Sequence, residues 1–195
     1  MKKLLNLNTL YIAVGIIVLG VVLIPLGVQK YNLWTQGINY FTNNNDEFLN
    51  NSVPIDGEYT VEVDLNNLQS NEGKELYQEN DVQIYVSKVI AHSKEEYELI
   101  FTAKGDYSLG GATLVSGVAQ NDTNDGAENN FQANAKATYK GDTFNLSHSK
   151  NSSELDEFGF RMELPDDIVS DLEEDGIIDV EVKDLYVNIW AEKSS

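Results

Sequence analysis

The chain offers few residues from which catalytic chemistry could be built. It contains no cysteine, which excludes disulfides, thiolate metal sites and cysteine nucleophiles. Its two histidines are His92, in a stretch that reads as a turn, and His148, on the apolar side of a strand with Phe144 and Leu146. A lone strand histidine more often packs or faces solvent than takes part in catalysis. No Gly-x-Ser-x-Gly elbow, His-Glu-x-x-His helix or Walker-type loop occurs. Ser108-Leu109-Gly110-Gly111 is glycine-rich but lacks the Lys-Ser/Thr that a phosphate cradle needs. The 32 acidic residues allow many carboxylate pairs, so none is singled out for glycoside hydrolysis.

Calcium is the metal that the acidic segments suit best. Asp171, Glu173, Asp175 and Asp179 fall where an EF-hand loop places oxygens at positions 1, 3, 5 and 9, with Gly176 at position 6. The closing glutamate is missing, since Val182 stands there, and the flanking pattern is that of strands rather than helices. These four residues are therefore a weak calcium candidate, beside the reading of an acidic turn in which glycine supplies the backbone freedom. Asn121 to Gly126 is a second oxygen-rich stretch of the same kind. No other cofactor is implied.

The charge is unevenly placed. With Lys2, Lys3 and Lys30 set aside, ten basic side chains accompany all 32 acidic ones, a formal charge of −22 on the segment after Lys30. Such a field repels nucleic-acid phosphates, so nucleic-acid binding is excluded, and it favours cations or a basic partner. Lysine outnumbers arginine twelve to one, a bias associated with AT-rich bacterial genomes.

These residues follow an apolar segment. Leu10 to Val28 carries no charged side chain, and nineteen residues at about 1.5 Å each span about 28 Å, close to the hydrocarbon thickness of a bilayer. Tyr11 at one end, and Tyr31 and Trp34 beyond the other, match interfacial aromatics. A cleaved signal peptide is the competing reading. The run is longer than a usual signal core, however, and no Ala-x-Ala-like site follows it. Lys2 and Lys3 against Lys30 favour a cytoplasmic N-terminus and an extracytoplasmic C-terminal domain. The expected organisation is a cytoplasmic N-terminus (1–9), a transmembrane helix (10–28), a juxtamembrane stalk and linker (29–54), and an acidic β-domain (55–195).

Beyond the apolar run, Tyr31, Trp34, Ile38, Phe41 and Phe48 recur at near-heptad spacing, the stripe of a helix continuing toward Thr42. Tyr31, Trp34, Ile38 and Phe41 are the candidate interface for a membrane-protein partner. The alternative places them in the headgroup layer or against the chain's own domain. Asn50 to Pro54 reads as a linker.

From Gly57 the period changes to two. Tyr59, Val61, Val63 and Leu65 alternate with polar residues, as do Val82-Ile84-Val86, Tyr97-Leu99-Phe101 and Phe158-Phe160-Met162. Leu68 to Asn80 reads as a short helix, and Asn121–Asn130 and Ser149–Asp156 as exposed loops. Pro165-Asp166-Asp167 starts a helix, and the phase slip at Lys183-Asp184 implies a bulge or strand switch. About eight strands at this spacing predict a mainly β fold, an antiparallel sandwich (Ig-like in the broad sense) or open barrel, behind one N-terminal transmembrane helix. The expected function is that of a membrane-anchored extracytoplasmic binding or accessory module rather than an enzyme. An envelope hydrolase using carboxylates and a calcium-stabilised surface adhesin are the alternatives.

Overall fold

A computed structural model of the chain describes residues 7–123, 126–172 and 175–194. The first element, α1 (Leu7–Gln36), is 30 residues long, about 45 Å at the helical rise. Its Leu10–Gln36 portion is long and apolar enough to cross a membrane, and none of its most apolar stretch is buried among the described residues. Pro25 lies inside it. A proline deletes one helical N–H, a defect that transmembrane helices tolerate. The helix ends at Gly37, whose positive φ of 55° lets its N–H turn back to the Leu33 carbonyl at 3.0 Å. A single further turn, α2 (Asn39–Thr42), carries the chain into the β-rich part.

Fifteen strands follow among the described residues, paired antiparallel throughout. In one sheet β1 (Phe48–Pro54), β15 (Tyr186–Glu192), β7 (Gly111–Ser116) and β6 (Asp106–Ser108) lie side by side in that order. A second has the order β11 (Asp142–Asn145), β10 (Asn134–Tyr139), β14 (Ile177–Lys183) and β2 (Glu58–Asp64). The third contains β12 (Ser147–Ser153), β13 (Glu157–Glu163), β5 (Glu96–Lys104), β4 (Val82–Ala91) and β3 (Glu75–Glu79). A two-stranded ribbon, β8 (Val118–Thr123) with β9 (Gly126–Phe131), completes the set. The buried faces share one hydrophobic core, in which Val63, Ile84, Leu99, Phe101, Phe158 and Val180 are wholly shielded from solvent. No sheet closes into a barrel, so the expected antiparallel sandwich-like architecture is the one present.

The clearest period-two stretches are strands as expected. The slip at Lys183-Asp184 is a strand switch: Asp184, at a φ of 59°, turns the chain from β14 in one sheet to β15 in another. Gly117 bends β7 into β8 where a Cβ would lie 2.6 Å from the Phe158 ring.

Four segments differ from the sequence expectation. The linker over Asn50–Pro54 belongs to β1, paired with β15 along its whole length. The helix expected in Leu68–Asn80 is one 3-10 turn, Leu68–Asn71, followed by β3. The expected loops at Asn121–Asn130 and Ser149–Asp156 contribute β8, β9 and β12, although Asn124 and Asp125 lie outside the described residues. Each is an edge or ribbon element rich in polar side chains. Backbone pairing holds such strands, and they need no alternating apolar face.

Candidate functional site

His92 ends the β4–β5 hairpin, and its Nε2 is 3.0 Å from Glu98 Oε2. Glu98 is 3% exposed, and its other oxygen accepts the Ser149 hydroxyl. The Ser149 hydrogen bond holds the Glu98 carboxyl below the usual carboxylate range, against the opposing effect of burial, and His92 adds to the lowering. The carboxylate stands between serine and histidine. In a serine triad the histidine stands between the other two, where it can take the hydroxyl proton. Ser149, Glu98 and His92 therefore tie β12, β5 and the hairpin turn together. His148 stacks on Phe131 with ring centroids 3.6 Å apart, and burial, followed by Lys150, lowers its pKa.

Three of the four calcium-candidate residues are described, and no two of them share an element. Asp171 ends α3 (Asp166–Asp171), and its carboxylate pairs with Lys140 Nζ at 3.3 Å. Asp175 accepts the Ile177 N–H at 3.3 Å. Asp179 is an exposed β14 residue opposite Glu62 and Thr138, and Glu173 lies outside the described residues. Among the described residues no group of three or more His, Asp or Glu side chains converges as a metal would require.

The aromatic stripe divides in two at Gly37. Ile38 and Phe41 are 2% and 0% exposed, buried in the chain's own core, and so present nothing to a partner. Phe41 is the hub of an aromatic cluster, 5.0 Å from Phe48, 6.0 Å from Tyr107 and 6.3 Å from Trp190 between ring centroids. Tyr31 and Trp34 remain outside, at 62% and 81% exposure.

Sequence reading missed a polar cleft of about 550 Å³ at the foot of the domain, between α2, the β8–β9 ribbon and the turn before β13. Its lining includes the carboxamides of Asn39, Asn43, Gln120 and Asn129 and the carboxylates of Glu128 and Asp156, and no basic side chain. Gln120 forms its inner wall. The Trp190 indole donates to Gln120 Oε1 at 3.0 Å, and Gln120 Nε2 donates to Asn129 Oδ1 at 3.3 Å. The Gln120 backbone N–H donates to Asn188 Oδ1 at 3.0 Å, while Asn188 Nδ2 donates to the Val118 carbonyl at 2.9 Å. The Asn188 carboxamide thus pairs with β8 as a neighbouring strand would. Comparison with protein-family models, curated proteins and solved structures finds no match to the chain.

Proposed function

We propose that the protein is a membrane-anchored binding module, with Leu10–Val28 in the bilayer and the acidic β-domain on the extracytoplasmic side. It serves as an accessory subunit or receptor domain of an envelope complex. The observation that carries this reading is the continuity of α1 with the domain: Ile38 and Phe41, just beyond the helix end, are already core residues. Lys2 and Lys3 against Lys30 set the side of the membrane. The recognition surface is the polar cleft. Carboxamides both donate and accept, carboxylates only accept, and no cation is among the lining residues, so the cleft suits a neutral or cationic polar group and disfavours an anion.

A photo-crosslinking side chain at Asn43, with the full chain in its native membranes, tests this. The expected result is a discrete adduct that is missing when the same group replaces Lys94 and that Glu128→Lys abolishes. Absence of any adduct from position 43 contradicts the binding role. The carboxylates of Glu128, Glu154 and Asp156 in the same cleft favour one second reading, the envelope hydrolase. It requires glycoside turnover by the full chain that Glu128→Gln or Asp156→Asn removes.

A further inference from the structure

Below the aromatic cluster, the last turns of α1 face the β6–β7 hairpin across an open cleft of about 720 Å³. Lys30, Leu33 and Trp34 line the helix side, on one stripe at helical spacing, and Tyr107 and Leu109 line the hairpin side. The walls are predominantly apolar. Burial pushes the Tyr107 hydroxyl up to about 12, so it stays neutral. Trp34 nevertheless keeps most of its surface exposed, with the Tyr31 ring 6.4 Å away. An indole left open in an apolar cleft forgoes a large burial term unless something covers it.

The position of the cleft along α1 identifies what covers it. Lys30 is two residues beyond Val28 and Trp34 six, rises of about 3 Å and 9 Å along an unbroken helix. The polar layer on each side of a bilayer is about 5–8 Å deep. With Leu10–Val28 in hydrocarbon, Lys30 falls at phosphate depth and the Trp34 backbone at the outer edge of the headgroups. Because helical side chains lean toward the helix N-terminus, the indole reaches back into the polar layer, where lysine ammoniums and indoles settle. Charge agrees. Lys30 is the one charged residue lining the cleft, and no carboxylate lines it, in a domain otherwise dominated by acidic side chains.

We infer that this cleft is a second membrane contact, taking the phosphate and glycerol region of a bilayer phospholipid and seating the β6–β7 hairpin in the headgroup layer. The inference rests on α1 spanning the membrane, as proposed above. Lys30 meets the phosphate, while Leu33, Trp34, Tyr107 and Leu109 meet the headgroup and glycerol carbons. Gly37 closes α1 and Phe41 locks the next turn into the core, so the contact fixes how the domain stands on the membrane.

The test uses the full chain reconstituted in vesicles of phosphatidylcholine with a minority of phosphatidylglycerol. The chain has two tryptophans, and Trp190 is buried. Lipids brominated high on the acyl chain are expected to quench the emission component that Trp34→Phe removes and to spare that of Trp190. The chain lacks cysteine, so Leu109→Cys and Lys94→Cys each give one labelling site. A polarity-sensitive dye is expected to be blue-shifted at position 109 and aqueous at position 94.

If the chain fails to float with the vesicles, the anchoring itself fails. If it floats but Trp34 is unquenched and the dye at 109 is aqueous, this inference alone fails. If Trp34 is shielded from aqueous acrylamide yet untouched by brominated lipid, a protein covers the cleft and the lipid assignment is overturned. The Trp34 measurement is made on the wild-type chain, so it stands even if Leu109→Cys folds poorly.

Discussion

The Phe41 ring packs 6.3 Å from the Trp190 indole, so the residues that follow α1 and those that end the chain share one aromatic cluster. The cluster is the mechanical joint of the molecule. Phe41 belongs to α2, Phe48 to β1, Tyr107 to β6 and Trp190 to β15, and the last three rings each pack on Phe41.

Phe41→Ala is therefore expected to destabilise the domain by about 3–5 kcal/mol, the usual cost of deleting a fully buried aromatic ring. Trp34→Ala, on the other side of Gly37, should change stability by less than about 0.5 kcal/mol in detergent, as for an ordinary surface position. Denaturant unfolding of the two variants checks the contrast. Equal losses would show that the aromatic stripe acts as one unit and is not divided at Gly37.

Asn188 is completely buried and stands in for a strand neighbour of β8. The Ser52 hydroxyl lies 2.5 Å from Asn188 Oδ1 and 2.6 Å from the Gln120 carbonyl. Asn188→Leu keeps the volume but orphans the Gln120 N–H and the Val118 carbonyl, at about 1–3 kcal/mol for each group left unpaired. Hydrogen exchange is expected to accelerate at Gln120 in this variant ahead of the β4–β5 core. Protection unchanged at Gln120 would contradict the bridging role.

Glu98 gives the domain an acid-side stability limit. Its carboxyl has a lower pKa folded than its ordinary value of 4.5, chiefly through the Ser149 hydroxyl. A group of this kind contributes stability above its unfolded pKa and loses that contribution as pH falls through the folded one. Ser149→Ala removes the largest lowering effect and leaves burial opposed mainly by His92, so the acid-unfolding midpoint, followed by circular dichroism, is expected to move to higher pH. A midpoint that stays in place would remove Glu98 from the acid response.

Gly117 is required by a close approach. An added Cβ would stand 2.6 Å from the Phe158 ring and 2.9 Å from the Ala133 Cβ, both in the packed core. Gly117→Ala should cost about 1–3 kcal/mol by overpacking, measured as a lowered unfolding midpoint. A neutral outcome would mean that the β7–β8 bend has room to move.

What the sequence discloses depends on how each element is held. The apolar run of α1 and the alternation of Val61 with Val63, or of Phe158 with Phe160, record burial directly in residue type. In β1, Phe48 alone is buried, and pairing with β15 supplies the rest, so the segment reads as a linker. The division of the stripe into exposed Tyr31 and Trp34 and buried Ile38 and Phe41 turns on the positive φ of Gly37, which spacing alone does not reveal. Asparagine abundance resembles a composition bias, yet the wholly buried Asn71 and Asn188 both bridge backbone groups; Asn71 pairs with the N–H and carbonyl of Asp64. The polar cleft assembles from α2, β8, β9 and the turn before β13, segments too far apart in the chain for any motif to mark.

The central claim is that α1 crosses the bilayer and holds the β-domain on the outer side. Maleimide labelling of single cysteines in the full chain in intact cells tests it most directly, because the native chain contributes no background thiol. The account predicts that Lys94→Cys labels from outside without permeabilisation, while Ile16→Cys and Val22→Cys stay protected until detergent is added. Labelling of all three positions alike in water, or of position 94 only after permeabilisation, would contradict it.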